Sequence, residues 1–217
     1  MHGNDRQEQL YEERGGRILS AVDIVKRRVG DVPSRRRRLV TVIGSGQTAD
    51  SNCDDVGKLV ASLGCDLLTG GGRGVMEAVS RAFAETTPRA GLAIGILPGH
   101  IRPMESVEWR ERTPVEYELP RGYPNDWVEL AIYTHLPDSG DEGTLRSSRN
   151  HINVLSADAI VALPGREGTN AEMWLATKYG VPVIAFGDHQ GPLPDGVPHA
   201  ETLAEVEAFL RKHLGLQ

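Results

Sequence analysis

From residue 39 onward, short apolar runs alternate with longer segments in which apolar residues recur at helical spacing. The runs predict strands that are buried on both faces of a sheet. They lie at 39–43, 65–69, 91–97, 158–163 and 181–186. The helical segments lie at 52–64, 75–85, 170–180 and 202–213. Strand, glycine-rich turn and helix in repeated order predict a single α/β domain, a Rossmann-like doubly wound parallel sheet flanked by helices.

Two parts of the chain depart from this alternation. Residues 8–29 carry apolar positions at helical spacing before the helix-breaking GDVPS, so we expect an N-terminal helical extension over 1–37 and the Rossmann-like domain over 38–217. Residues 98–147 lack clear periodicity, and such an irregular insertion in an α/β domain usually carries function or borders a site. We expect mixed strand and loop beside an active cleft, with the acidic DSGDEG (138–143) as a mobile tip.

Composition and charge narrow the function classes. The chain is 39% hydrophobic and 25% charged, has no apolar stretch of membrane-spanning length, and begins too polar for a signal peptide, which predicts a cytoplasmic protein without membrane association. A net charge of −6 argues against general attraction to nucleic acid. The basic block Arg35–Arg38 is interpreted as the solvated start of a strand rather than a nucleic-acid patch.

Cysteine and histidine give no sign of a metal centre. Cys53 and Cys65 are too few for a disulfide framework, and we expect buried free thiols. His100, His135 and His151 lack metal-ligand spacing, so we expect no metal and no cofactor.

Three glycine-rich loops follow predicted strands: GSGQT (44–48), GGGRG (70–74) and PGREGT (164–169). Ligands of open α/β sheets bind beyond the carboxyl ends of the strands, where helix N-termini offer N–H groups to an anion. Each loop alone is explained by a tight turn that requires glycine, but three on one edge indicate an anionic, phosphorylated ligand. The chain lacks the phosphate-binding loop of nucleoside triphosphatases, and GSGQTA lacks the third glycine of the dinucleotide fingerprint.

The T-x-x-E pattern of residues 169–172 has two interpretations. In a capping box, Thr169 caps a helix and Glu172 reaches back to its first N–H group. In a phosphate-binding loop, the same residues hold the ligand and place a carboxylate beside it. The two are compatible, because a capping glutamate lies next to the place where a phosphate would bind.

The segments GGGRGVMEAV, GLAIGILPG and SADAIVALPGREGTNAE resemble the Lonely Guy (LOG) family, whose older name refers to lysine decarboxylase. The resemblance covers about 39–186. Members are cytokinin-activating phosphoribohydrolases. The resemblance therefore implies an enzyme that hydrolyses the N-glycosidic bond of a nucleoside 5′-monophosphate, a cytokinin riboside monophosphate or an AMP-like nucleotide. It implies a homodimer or higher homo-oligomer. Lysine decarboxylation is disfavoured, because Lys58 and Lys178 both fit surface helix positions.

The family pattern P-G-G-x-G-T-x-x-E, preceded by an arginine, implies the site residues. Glu172 is the implied catalytic carboxylate, which stabilises the ribosyl cation and activates water. Arg149 is the implied arginine that orients the substrate or assists the leaving base; an ion pair to a helix-start carboxylate is its structural alternative. Arg146 fits either the phosphate or an insertion-to-core salt bridge. The implied substrate- and phosphate-binding residues are Gly44, Ser45, Gly70, Gly71, Gly72, Gly74, Met76, Arg146, Pro164, Gly165, Arg166, Gly168 and Thr169.

The sequence also departs from the family pattern. Arg166 replaces the second glycine of P-G-G, and the insertion around YPNDWVELAIYT is more similar to a related bacterial branch that includes molybdenum-cofactor carriers and DprA-like proteins. A non-catalytic carrier of a phosphorylated cofactor is therefore the alternative, favoured by the extra cation, whereas acidic charge disfavours DNA binding. Tyr123 and Trp127 are candidates for stacking a base, and Trp174 for a subunit contact.

Overall fold

The structure is a computed structural model that describes residues 36–102 and 115–217. The helix expected over 8–29 lies outside the described residues. The described strands are β1 (Leu39–Ile43), β2 (Asp66–Thr69), β3 (Ala93–Leu97), β4 (His100–Arg102), β5 (Glu116–Glu118), β6 (Leu130–Tyr133), β7 (Ala159–Ala162), β8 (Val183–Phe186) and β9 (His199–Ala200). The described helices are α1 (Cys53–Ser62), α2 (Val75–Glu85), α3 (Asn150–Ser156), α4 (Glu167–Tyr179) and α5 (Leu203–Leu214), with a 3-10 turn at Gly140–Glu142.

Seven strands form one sheet in the order β6-β3-β2-β1-β7-β8-β9, and every neighbouring pair is parallel. The chain moves outward from β1 through β2 and β3 to β6, then crosses back to β7 and moves outward the other way. Chain order therefore reverses between β1 and β7. This confirms the predicted Rossmann-like doubly wound fold.

The two faces of the sheet carry separate apolar clusters, because neighbouring residues of a strand point to opposite faces. On one face, Val40 and Val42 of β1 pack with residues of α1, α2 and α5. On the other, Ile43 and Ile160 pack with residues of α3 and α4. Burial on both faces explains why these strands read as continuous apolar runs.

The basic block and the cysteines have structural roles in the described chain. Arg36 pairs with Asp158 and Arg37 with Asp66, at the amino ends of β7 and β2, so the interpretation as a solvated strand start is confirmed for both arginines. Cys53 and Cys65 are free and buried, as predicted, and burial raises the pKa of Cys53 to about 11 and that of Cys65 to about 12. None of the described helices combines the length and apolarity that crossing a membrane requires.

The insertion is a mixture of strand and loop, as expected. β4 and β5 form a two-stranded antiparallel sheet, and β6 adds an edge strand to the main sheet beside β3. The chain then closes a loop on itself, since Asp138 bridges to Ser148 and the Ser147 hydroxyl donates to the Asp138 carboxylate. This closed segment leads directly into α3, a helix that the apolar pattern does not predict.

Candidate functional site

A cleft of about 390 Å³ opens at the carboxyl edge of the sheet, beyond the ends of the paired strands β1 and β7. The point at which chain order reverses is where open α/β sheets bind ligands. The walls come from the loops after β1, β2 and β7, from the start of α4, and from two parts of the insertion, Tyr123 and Ser139–Gly140. The three predicted glycine-rich loops therefore meet at one site, and the insertion borders it as expected.

The loop after β1 joins the other two loops. The Ser45 N–H donates to the Pro164 carbonyl at 3.0 Å, and the Ser45 carbonyl accepts from the Val75 N–H at 2.9 Å. Gly74 makes this approach possible: its φ is 66°, and a Cβ there would lie 2.4 Å from the Ser45 oxygen. The Ser45 hydroxyl accepts from the N–H groups of Gln47 and Thr48, both at 3.2 Å, which closes the loop.

The loop after β2 packs against the predicted arginine, Arg149. Arg149 is only 4% exposed and occupies the N-cap position of α3. A Cβ on Gly70 would lie 2.3 Å from both terminal nitrogens of its guanidinium, so glycine is required for this packing. No ion pair of the described residues includes Arg149, so the structural alternative of a helix-start ion pair is not found in this part of the chain.

The same loop anchors the aromatic part of the insertion. The Asn125 side-chain amide donates to the Gly72 carbonyl at 2.7 Å, and its backbone N–H donates to the Gly71 carbonyl at 2.8 Å. A Cβ on Gly72 would lie 2.7 Å from the Tyr123 ring and 2.9 Å from the Met76 methyl group. Tyr123 and Met76 thus form an apolar wall of the cleft at its β2 end. Trp127 does not line the cleft.

The loop after β7 differs from its predicted capping geometry. Helix α4 begins at Glu167, three residues earlier than predicted, with the extended residue Arg166 at the N-cap and without a side-chain capping bond. Thr169 is therefore inside the first turn, and Glu172 does not reach the helix start. The capping-box interpretation is wrong here. First-turn N–H groups have no carbonyl partner within their helix, so those of this turn are available to a bound anion.

Glycine shapes this loop closely around Thr169. A Cβ on Gly165 would lie 1.9 Å from the Thr169 hydroxyl oxygen and 3.0 Å from the Ser45 nitrogen. Gly168 contacts the insertion, because a Cβ there would lie 2.9 Å from the Gly140 Cα. The DSGDEG segment therefore rests on the start of α4, while its predicted mobility stays a prediction.

Glu172 lines the cleft but is only 9% exposed. Its Oε1 accepts a hydrogen bond from the Asn153 side-chain amide at 3.1 Å. Burial raises the pKa of Glu172, and the charge of Arg149 and the bond from Asn153 oppose that rise. The cleft thus contains a buried carboxyl group whose protonation depends on two neighbours from α3.

The sequence model of the SLOG cluster 4 family matches residues 37–210. This chain belongs to the SLOG cluster 4 family. The resemblance to LOG-related proteins is thereby confirmed at the level of the family and the fold.

Three relatives are similar to this SLOG protein. A protein of Archaeoglobus fulgidus is 30% identical over 155 residues, which is 68% of this chain and 78% of the relative. The molybdenum cofactor carrier protein of Chlamydomonas reinhardtii is 28% identical with a TM-score of 0.57, over 83% of this chain and 99% of that one. The molybdenum cofactor binding protein of the phototrophic bacterium Rippkaea orientalis is 30% identical with a TM-score of 0.51, over 83% and 86%.

Most of the predicted residues of this SLOG chain line the cleft, and all but one of the others shape the loops behind it. Those that line the cleft are Gly44, Ser45, Gly70, Met76, Arg149, Arg166, Gly168, Thr169 and Glu172. Those that shape the loops behind it are Gly71, Gly72, Gly74, Pro164 and Gly165. Arg146 is exposed, lies outside the cleft lining and makes no ion pair with a described residue, so both of its predicted roles stay predictions.

Residues outside the family pattern also belong to the site. Gln47 and Asn150 line the cleft, and Asn153 bonds to Glu172 behind it. Asn153 follows Arg149 by four residues, which places both on one side of α3. The signal that would have revealed Asn153 was this spacing, and it becomes visible only once residues 150–156 are known to be helical.

Proposed function

We propose that this SLOG protein hydrolyses the N-glycosidic bond of a purine-type nucleoside 5′-monophosphate, such as AMP or a cytokinin riboside monophosphate, to free base and ribose 5-phosphate. The observation that carries the proposal is the buried carboxyl group of Glu172 inside a cleft built for an anion. A carboxylate opposes the binding of a phosphate, so a site that only retained phosphate would be better without it. A reaction through a ribosyl cation, by contrast, requires a carboxylate at the sugar.

The phosphate would bind at the β7 end of the cleft. The first-turn N–H groups of α4, the Thr169 hydroxyl and the positive end of the helix dipole all favour an anion there. Arg166 adds a full positive charge at the same helix start. The base would lie at the β2 end, where Tyr123 and Met76 offer an apolar wall for a planar ring.

Between these ends, Glu172 and Arg149 would act on the sugar and the leaving base. The oxygen of a water molecule bonds to the anomeric carbon as the carbon–nitrogen bond breaks, and the bonding electrons leave with the base. Glu172 accepts the proton of that water and passes it to the base. A raised carboxyl pKa suits this role, because a general base is most effective when its pKa approaches the working pH. Arg149 would hydrogen-bond the base or the ribose through its fixed set of donors.

The test is a panel of nucleoside 5′-monophosphates, with release of free base as the measurement. We expect turnover of at least one purine monophosphate, and Glu172→Gln should lower kcat by about 10²- to 10⁴-fold. Glu205→Gln, on the exposed start of α5, is the matched control and should keep full turnover. Either full activity of Glu172→Gln or the absence of turnover across the panel contradicts the proposal.

A carrier of a phosphorylated cofactor is the second candidate, and Arg166 is the observation that favours it. A cation in place of a loop glycine suits retention of a polyanion, and two solved relatives are named for molybdenum cofactor. The purified protein would then retain molybdopterin, detected by pterin fluorescence and molybdenum content, and hydrolyse no monophosphate. Arg166→Gly should lower that retention. Purification without either signal, together with base release, would exclude the carrier.

We also propose a cytoplasmic homo-oligomer of at least two copies. Trp174 is 45% exposed on α4 and stacks with Lys178, whose amine lies 5.1 Å from the ring centre. Light scattering should give the mass of two or more chains, and Trp174→Ala should lower it if this surface is the contact. A single-chain mass for the unmodified protein contradicts the proposal.

A further inference from the structure

The buried side-chain amide of Asn153 lies behind the candidate site. Asn153 is fully buried on α3, and its side-chain nitrogen donates to Glu172 at 3.1 Å. Its backbone carbonyl accepts from the Thr41 hydroxyl at 3.3 Å, which ties this part of α3 to β1. The helix and the sheet therefore fix the backbone of Asn153, and the bond given for its side-chain amide goes to Glu172.

The other end of this amide has no partner. Among the described residues nothing donates to the Asn153 Oδ1, although that atom is buried. A buried carbonyl without a donor is unfavourable, so an apolar side chain of similar shape would fit the position better if packing were its only role. We therefore look for the role of this unpaired acceptor in the interaction of the amide with Glu172.

An amide carries a donor and an acceptor on one carbon atom, so a half-turn of the group exchanges them. With the nitrogen toward Glu172, the amide donates to an ionised carboxylate. With the oxygen toward Glu172, it accepts from the O–H of a protonated carboxyl group. One side chain can thus donate to the ionised carboxylate and accept from the O–H of the protonated group, whereas a fixed donor leaves that O–H without an acceptor.

We propose that Asn153 is a positioning residue that holds Glu172 in place in both protonation states by turning its amide, so that the buried carboxyl group can accept a proton and release it again. The role rests on the proposed function of Glu172. Asn153 itself gains and loses no proton. The proton moves from water to Glu172 and from Glu172 to the leaving base.

Other charged groups act on the same carboxyl group and must be separated from this effect. The charged residues that line the cleft are Arg149, Arg166, Glu167 and Glu172. The charge of Arg149 favours the ionised carboxylate. These groups stay in place when Asn153 alone is replaced, so the leucine variant isolates the contribution of the amide.

The experiment follows both partners by NMR in the ligand-free protein. The carboxyl carbon of Glu172 is identified by its loss in Glu172→Gln, and the Asn153 side-chain amide by its bonded carbon atoms. We expect the two signals to change with one common pH midpoint, and the Asn153 amide to become independent of pH in Glu172→Gln. Asn153 signals that stay constant while Glu172 titrates overturn the proposal.

Asn153→Leu provides the second measurement, with Asn170→Leu on the exposed surface of α4 as its control. The leucine removes the donated hydrogen bond, so the Glu172 midpoint should rise by about one pH unit, and the acid limb of kcat/KM should move with it. A midpoint within a few tenths of a unit of the control overturns the proposal. If this variant does not fold, the titration of the unmodified protein still decides.

These titrations need no substrate, so they can fail or succeed independently of the proposed hydrolase activity. A protein that releases no base but shows the common midpoint keeps the Asn153–Glu172 pair and loses the hydrolase. A protein that hydrolyses monophosphates with a constant Asn153 signal loses the positioning role alone.

Discussion

Two helix starts in this chain carry nearly the same four residues, TNAE at 169–172 and TLAE at 202–205, and they do different things. At α5, the Thr202 hydroxyl accepts from the Glu205 N–H and the Glu205 carboxylate accepts from the Thr202 N–H, both at 3.3 Å, which forms a complete capping box. At α4, the helix has already begun at Glu167, and Glu172 turns to Asn153 instead.

The residues before each motif explain the difference. Thr202 is exposed and follows the end of β9 by two residues, so the threonine itself must satisfy the helix N–H groups. The PGRE segment before Thr169 folds over that threonine through Gly165, and Arg166 takes the N-cap position with φ −113° and ψ −150°. A capping motif thus identifies a helix start only when its threonine occupies the N-cap position and no earlier residue does.

The largest expected effect comes from adding a side chain at Gly165, in the turn that makes the start of α4 differ from the start of α5. Gly165→Ala puts a Cβ within 1.9 Å of the Thr169 oxygen, so the turn before α4, which is the proposed phosphate site, must move. We expect kcat/KM for AMP to fall by about 10²-fold, since a displacement of this kind misaligns the ligand. Gly215→Ala at the end of α5, with φ 66° and open space around it, should cost about 1 kcal/mol of stability and leave the kinetics unchanged. Equal kinetics for the two variants would contradict a phosphate at the α4 turn.

The two threonines provide a crossed pair of substitutions. Thr169→Val should weaken AMP binding by about 10- to 100-fold, the effect of one lost hydrogen bond to a charged group. Thr202→Val should leave binding unchanged and lower the free energy of unfolding by about 1 kcal/mol, because it removes the N-cap of α5. Calorimetric titration with AMP and urea unfolding measure the two effects. If Thr169→Val lost stability but kept its affinity for AMP, Thr169 would have a structural role like that of Thr202, and its proposed binding role would be contradicted.

The smallest effect concerns the pH dependence of stability. Because the folded protein raises the pKa of Glu172, it holds that proton more tightly than the unfolded chain. The contribution is fully present below the ordinary glutamate pKa and is lost as pH rises through the higher folded value. Urea midpoints from pH 4 to pH 8 should therefore rise for Glu172→Gln relative to the unmodified protein as pH increases.

The matched Glu205→Gln variant keeps both capping bonds, since glutamine serves in a capping box as glutamate does. Its stability should differ from that of the unmodified protein by only a few tenths of a kcal/mol at pH 7. If the difference in urea midpoint between Glu172→Gln and the unmodified protein did not change with pH, the pKa of Glu172 would not be raised in the folded protein.

Burial decides which parts of the fold the apolar pattern predicts. β1, β7 and β8 are covered on both faces, and the predicted boundaries agree to within two residues. β6 is an edge strand whose Leu130 and Tyr133 are 45% and 58% exposed, so its apolar residues carry no burial signal. Helix α3 has seven residues and no side-chain cap, which leaves too little pattern to detect.

The candidate site likewise contains residues that the sequence predicts and others that it does not. Thr169 and Glu172 follow from a motif that is contiguous in sequence, and Gly70 follows from a loop that demands glycine. Asn153 depends on a helix without a sequence signal, and the geometry of Arg166 depends on where α4 begins. Local patterns therefore predicted the candidates, whereas the hydrogen bonds between them required the packed structure.

The backbone of Ser45 has a consequence for how such a site can diversify. With its N–H on Pro164 and its carbonyl on Val75, it couples the three glycine loops, so a change in one loop displaces the others. The Tyr123 segment is attached to this assembly chiefly through Asn125. Under the proposed function, exchanging residues 119–128 would therefore change ring specificity most readily, whereas the proposed phosphate end would change only as a unit.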